Sequence, residues 1–269
     1  MDSSELLKSL KSLIHYHQTC GIKAYTTDEK GRNALAKVDL SALGVRRQKM
    51  SRAYHSANPA REKHVVSQQQ DPGDVRPIDQ IADEIYCCRS CSLHETRQIA
   101  TAGSGGYQPR LLVVGDWLML SDETAVHGSE IFGAQQDQML ARMIGAIDLK
   151  PDEVFVTNSI KCSIPESCQP TSKQLFTCTA YLHRQIDILL PELICTMGII
   201  ATKALTGKSR PLSQLRGKFY PYTCRAGGDI PLLPTYHPTY LLQNPEMKQA
   251  TWADLQLVQK KLVELNIHK

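Results

Sequence analysis

Three short apolar runs constrain the fold of this 269-residue chain more than any other feature. Arg110-Leu111-Leu112-Val113-Val114-Gly115, Val154-Phe155-Val156-Thr157-Asn158 and Leu193-Ile194-Cys195-Thr196-Met197-Gly198 each read as a buried strand. Helical patterns follow them. Residues 135–147 place Met139, Leu140, Met143 and Ile144 on one face, and residues 172–190 open on a cap at Thr171 or Ser172. Residues 199–205 and a final amphipathic stretch, 248–265, complete the set. Lys218-Phe219-Tyr220 and Pro231-Leu232-Leu233-Pro234 add strands on either side of a Gly227-Gly228 turn. Strands alternating with helices imply a mostly parallel central sheet covered on both faces, an α/β/α three-layer sandwich.

That domain is expected over residues 78–269. Ahead of it, Leu6, Leu7, Leu10, Leu13 and Ile14 recur at helical spacing, which predicts a helix within residues 1–25. Residues 26–77 lose the periodicity and are rich in Ser, Gln, Asp, Lys and Arg, the composition of a disordered linker. Order is expected to resume with a helix over 78–85 that leads into Cys87-Cys88.

The formal charge of +4 permits a nucleic-acid partner without demanding one. No apolar run is long enough to span a membrane. The polar start, Met1-Asp2-Ser3-Ser4-Glu5, is unlike a secretory signal, so a cytoplasmic location is expected; the chain is also expected to be a monomer. Nine cysteines in such a chain point to thiols, some of them holding metal, rather than to a disulfide framework. Cys88 and Cys91 form one close pair; Cys162 and Cys178 form a wider one, with Pro165 and Pro170 between. Four thiolates suit tetrahedral zinc or an iron–sulfur cluster, and the wide second spacing leans toward iron–sulfur. Cys87 leaves the register of the first ligand open by one. Most of Cys20, Cys168, Cys195 and Cys224 read as structural thiols.

Asn158 stands at the end of the second strand, where open α/β sheets present their ligand-binding groups. Its amide both donates and accepts, so it can read the edge of a base. Four residues on is Cys162, so one short segment carries a base-reading group and half of a metal site.

From about Cys88 to its C-terminus the chain resembles family 4 uracil-DNA glycosylases, the iron–sulfur type of bacteria and archaea. The likeness rests on ordered motifs: Cys88-x2-Cys91-Ser92-Leu93 with Arg97; Asn158-Ser159-Ile160-Lys161-Cys162; Cys178 at the family's distance; Leu215-Arg216-Gly217; and the closing stretch from Pro234 through His237-Pro238 to Pro245. The resemblance implies a 4Fe-4S cluster on Cys88, Cys91, Cys162 and Cys178. It also implies a DNA partner, single- or double-stranded, that contains uracil. The first family motif departs: Gly115-Asp116-Trp117-Leu118-Met119 lacks the proline and second glycine, and a longer spacer precedes Phe132-Gly133. Asp116 takes the place of the family's catalytic acid, one methylene shorter. Asp122 takes that of an acid that shields the C5 side of the base. Trp117 and Met119 enlarge this loop, which allows a narrowed pocket or a modified base.

A glycosylase must flip its base, hold it and stabilise it as a leaving anion. The resemblance assigns the holding to Asn158, whose oxygen would accept from uracil N3–H while its NH2 donates to O4. Cytosine offers the opposite pattern. Gly115 and Phe132 would line the base site, with Phe132 stacking on the ring. His237 would donate to O2, and Asp116 would activate water. Lys161, Arg216 and Lys218 are read as phosphate partners, and Tyr240, Leu241 and Leu242 as a wedge for the gap left by the flipped base. The expected function is hydrolysis of deoxyuridine's N-glycosidic bond in base excision repair. The rivals are a non-catalytic DNA-binding module and a glycosylase for another damaged base.

Overall fold

The computed structural model describes residues 77–120, 130–166, 168–225 and 227–267. The predicted N-terminal helix, the linker up to residue 76 and Asp122 lie outside the described residues. Helix α1 (Pro77–Tyr86) takes Pro77 from the predicted linker; proline at a first helical position lacks only an N–H that has no intrahelical partner there. It buries Ile78, Ile81 and Ile85. A single turn, α2 (Leu93–Thr96), follows.

Among the described residues, one six-stranded sheet forms the centre. Its strands are β1 (Ser104–Gly105), β2 (Leu111–Gly115), β4 (Val154–Asn158), β6 (Leu193–Met197), β7 (Tyr220–Thr223) and β8 (Asp229–Thr235). The spatial order is β1-β4-β2-β6-β8-β7. The inner four are mutually parallel, and both edge strands pair antiparallel. Every residue of β2 and β6 is buried, which is why these strands are apolar without alternation. Their side chains still divide by period two. Leu111, Val113 and Leu193 pack with α3 (Ala134–Gly145) and α8 (Lys248–Ile267) through Leu140, Leu255, Val258 and Leu262. Leu112, Val114 and Ile194 pack on the other face with α4 (Ser172–Leu189) through Leu182, Ile186 and Leu189, joined by Ile78 of α1. The three-layer α/β/α architecture is the one expected.

Thr171 caps α4: its hydroxyl accepts from Gln174 N–H at 3.3 Å while the Gln174 side chain accepts from Thr171 N–H at 2.7 Å. Helix α5 (Ile199–Thr206) follows β6, and single-turn α6 (Leu212–Leu215) precedes the β7–β8 hairpin. Helix α7 (Pro238–Gln243) follows β8 directly. A two-stranded parallel sheet, β3 (Met119–Leu120) with β5 (Ile164–Pro165), has strands too short to show a periodicity.

Candidate active site

The parallel strands β2, β4 and β8 bring their C-terminal ends to one place. Gly115, the last residue of β2, lies opposite Asn158, the last of β4. A β-carbon at Gly115 would stand 2.2 Å from the Phe132 ring and 2.7 Å from Asn158 Oδ1, so only glycine fits between them. Phe132 is fully buried, and its ring centroid lies 4.8 Å from that of His237, at 50°. The structure thus gathers Gly115, Phe132, Asn158 and His237 from four separate segments.

Asn158 is fully buried. Its Nδ2 donates to the Ile131 carbonyl at 2.5 Å, and a carbonyl neighbour requires the NH2 end of the amide to face it. That fixes the side chain's orientation and leaves Oδ1 buried with no partner within the protein. Asp137, in the first turn of α3, steadies this wall by accepting from the Ile131 and Phe132 N–H groups at 2.9 and 3.0 Å. Sequence reading missed Asp137. Its acid in a helix's first turn, five residues after Phe132, was the available signal.

His237 caps α7: its Nδ1 accepts from Thr239 N–H at 3.2 Å. A ring that accepts at Nδ1 carries its proton on Nε2, and Nε2 is the second buried polar atom without a partner. Burial holds the imidazole neutral, lowering its pKa to about 3. The site therefore offers one acceptor, Asn158 Oδ1, and one neutral donor, His237 Nε2–H. A buried polar group left unpaired costs about 1–3 kcal/mol, so such a pair is the mark of a ligand site.

Asp116 lies against the start of α5. Its Oδ1 accepts from Ala201 N–H at 2.7 Å in the first turn of α5. A β-carbon on Gly198, which has φ +105°, would lie 2.3 Å from the carboxylate, so the carboxylate occupies space that glycine leaves. Desolvation raises the Asp116 pKa to about 7 against the pull of the Ala201 and Ile200 N–H groups. Trp117 and Met119, expected to enlarge the loop beside the base, pack toward the cysteines instead. Trp117 is buried with Leu93, Ile160, Cys162, Ile164 and Cys178, and Met119 packs against the same group.

Cys162 and Cys178 are buried in that apolar group, with Cys91 packed against it. Arg97 Nη1 points at Cys162 Sγ from 3.4 Å, and Lys161 N–H donates to Cys178 Sγ at 3.1 Å. Burial raises the Cys162 pKa against the pull of Arg97, and the charges of Cys91 and Cys88 add to the rise. Burial pushes Cys178 up to about 11, with Cys162 and Cys91 adding to it. Cys162 therefore lies within electrostatic reach of the other three sulfurs. Cys88 is half-buried and hydrogen-bonded to Tyr181 and Ser90, whereas Cys87 is exposed. Among the described residues no group of three or more His, Cys, Asp or Glu side chains stands as the ligand set of a single ion.

Two residues read as phosphate partners are placed elsewhere. Lys161 is 2% exposed, and its Nζ donates to Thr157 Oγ1, the Asn158 carbonyl and Gln185 Oε1 at 2.7, 2.7 and 2.6 Å. Its three donors are used inside the protein. Arg216 grips Asp254 with two bonds of 2.9 Å, donates to the Ala250 carbonyl and lies over the Tyr236 ring. The wedge residues also turn inward: Leu241 and Tyr240 are buried against Ile199, Leu212, Leu215 and Tyr236, because α7 directs them to the core. Leu242 is the exposed member of that turn.

The sequence pattern of the family described as "Uracil DNA glycosylase superfamily" matches residues 102–256. A type-4 uracil-DNA glycosylase of Saccharolobus solfataricus is 31% identical over 190 residues, which is 69% of this chain and 86% of that protein. Those of Sulfurisphaera tokodaii and Archaeoglobus fulgidus are 32% and 28% identical over 195 residues, 71% of this chain, and 85% and 94% of their own lengths. The matched span holds Gly115, Phe132, Asn158 and His237 together. The chain belongs to the uracil DNA glycosylase superfamily, on its type-4 branch.

Proposed function

We propose that this chain is a DNA glycosylase of base excision repair that hydrolyses the N-glycosidic bond of deoxyuridine and leaves an abasic site. One observation carries the reading: Asn158 Oδ1 and His237 Nε2, buried and unpartnered, flank the Phe132 ring. Uracil N3–H satisfies Asn158 Oδ1, and the second hydrogen of Nδ2 remains for O4. Cytosine presents an acceptor at N3 and so leaves Oδ1 unpaired. His237 Nε2–H faces O2, where negative charge grows as the bond to the sugar breaks; a neutral donor of this kind contributes about 10²–10³ in rate. Phe132 packs on the base, and a side chain at Gly115 would fill its place. Asp116, as the carboxylate, orients the attacking water. The product is free uracil and a deoxyribose whose C1′ carries the water's oxygen. The partner is DNA containing uracil, and the chain works as a monomer.

The donor set suits an iron–sulfur cluster. Cys91, Cys162 and Cys178 share one apolar site under Arg97 and a backbone N–H, Cys88 lies within electrostatic reach of Cys162, and a cubane spreads its thiolates farther apart than one ion does. Cys88, Cys91, Cys162 and Cys178 would hold a 4Fe-4S cluster that cross-links the segment after α1 to the β4–α4 segment. With Cys162 four residues from Asn158, such a cluster would brace the base site or position the DNA.

The experiment is base release by cluster-replete protein from DNA carrying uracil, cytosine, thymine or hypoxanthine, read as alkali-labile sites. Uracil alone is expected to be released, and Asn158→Ala is expected to lose rate and selectivity together. Release of another base in preference to uracil, or DNA binding with no release, would overturn the reading.

A further inference from the structure

Lys161 holds a place that neither a phosphate contact nor a cysteine-site residue explains. Its amino group is buried, its donors are spent on neutral oxygens, and among the described residues no carboxylate forms a salt bridge with it. Two of those oxygens belong to the end of β4: the Thr157 hydroxyl and the Asn158 carbonyl. The third is Gln185 Oε1 on α4. Gln185 is itself anchored, since its Nε2 donates to the Ala102 carbonyl at 2.6 Å, which Thr157 Oγ1 also reaches at 3.2 Å. The backbone of Lys161 is clamped as well: its carbonyl accepts from Thr101 N–H at 2.7 Å and its N–H meets Cys178 Sγ. A flexible four-carbon stem is thus fixed at both ends.

We infer that Lys161, with Gln185, is a positioning residue that fixes the Asn158 backbone so that Oδ1 meets the base edge. This rests on the proposed role of Asn158. Asn158 ends a strand, and beyond it the chain leaves the sheet ladder, so neighbouring strands no longer fix its carbonyl. The other tethers on this corner come from the β2 side and the Phe132 segment: Ser159 N–H and Oγ to the Gly115 carbonyl at 2.8 and 3.0 Å, Ile160 N–H to the Asp116 carbonyl at 3.1 Å, and Asn158 Nδ2 to Ile131. The lysine supplies a restraint from the α4 side, one residue before Cys162. Misplacement of a reacting group by about 1 Å can cost roughly 10²-fold in rate.

Lys161→Met keeps the stem and removes the donors; Gln185→Leu removes the acceptor on α4 and leaves Lys161 its two bonds to β4. Each is measured alone and with Asn158→Ala, on single-stranded uracil DNA at saturating enzyme. Hydrogen exchange of the peptide spanning 157–161 and iron content are followed in parallel. Lys161→Met is expected to lower the rate by about 10²-fold in the wild-type background and little in the Asn158→Ala background, because both changes strike one function. Gln185→Leu follows the same pattern with a smaller loss. Exchange at 157–161 should rise while iron content holds. An equal loss in both backgrounds would show a general structural role and overturn the inference, as would unchanged exchange. If Lys161→Met does not fold, Gln185→Leu decides by the same criteria. If the wild-type protein releases no uracil, the catalytic reading fails, and the exchange result still judges the restraint on Asn158.

Discussion

At the scale of single residues, burial decides which of the candidate groups carries charge. His237 has its folded pKa lowered to about 3 from 6.5, so the unfolded chain binds the extra proton between those values. Its contribution to stability is therefore present above about pH 6.5 and lost as pH falls toward 3. Between pH 7 and pH 5 the loss is about 2 kcal/mol. Thermal unfolding of His237→Gln should be correspondingly less sensitive over that range, and an identical pH slope in the two proteins would contradict a buried neutral imidazole. Asp116 moves the other way, up to about 7. If its carboxylate holds the water, the single-turnover rate rises as pH passes through 7 and then levels. Asp116→Asn should be slow and flat across that limb; a wild-type profile in Asp116→Asn would remove the acid from the reaction. Asn158 and His237 were legible in the sequence because a strand end and a proline-flanked histidine sit inside ordered motifs. The environment of Asp116 was not, because it depends on Gly198, more than eighty residues away, leaving room beside α5.

Elements explain why two cations were misread. Sequence shows the charge of Lys161 and Arg216 but not the partners that absorb it, since Gln185 lies on α4 and Asp254 on α8, with no local pattern marking either. Asp254 is 1% exposed, and Thr235 Oγ1, two residues before His237, also donates to it at 2.7 Å. Arg216→Met leaves that carboxylate unpaired, which costs about 3–5 kcal/mol. The variant should melt well below wild type while the salt dependence of DNA binding, which counts phosphate contacts, stays the same. A slope reduced by about one with unchanged melting would restore Arg216 to the DNA. The cysteine segments make a matching prediction. Purified anaerobically, the protein should be brown, with iron and acid-labile sulfide near equal. Cys162→Ala should bleach it and expose the 87–100 segment to trypsin at Arg89 and Arg97 before the sheet is cut. Zinc at one equivalent without sulfide would contradict the cluster.

For the whole molecule, the three apolar runs were sufficient to give the layers and the mostly parallel sheet, because β2, β4 and β6 are buried strands that only a doubly covered sheet accommodates. The hairpin β7–β8 shifted from expectation by a few residues, since Pro231 obscures the strand boundary. The assembled site needed the fold: Phe132, after an altered spacer, reaches His237 because the parallel strands β2, β4 and β8 end at the same edge of the sheet. Single-stranded uracil DNA should be the better substrate, as no base pair must open before flipping. A faster rate on paired uracil would mean that the protein reads the duplex as well as the base. The most direct measurement is the single-turnover rate of His237→Ala beside its affinity for the same uracil DNA. A donor that acts on the leaving anion predicts a rate lower by about 10²–10³ with affinity nearly unchanged. Loss of affinity in proportion to rate, or no loss of rate, would contradict the account.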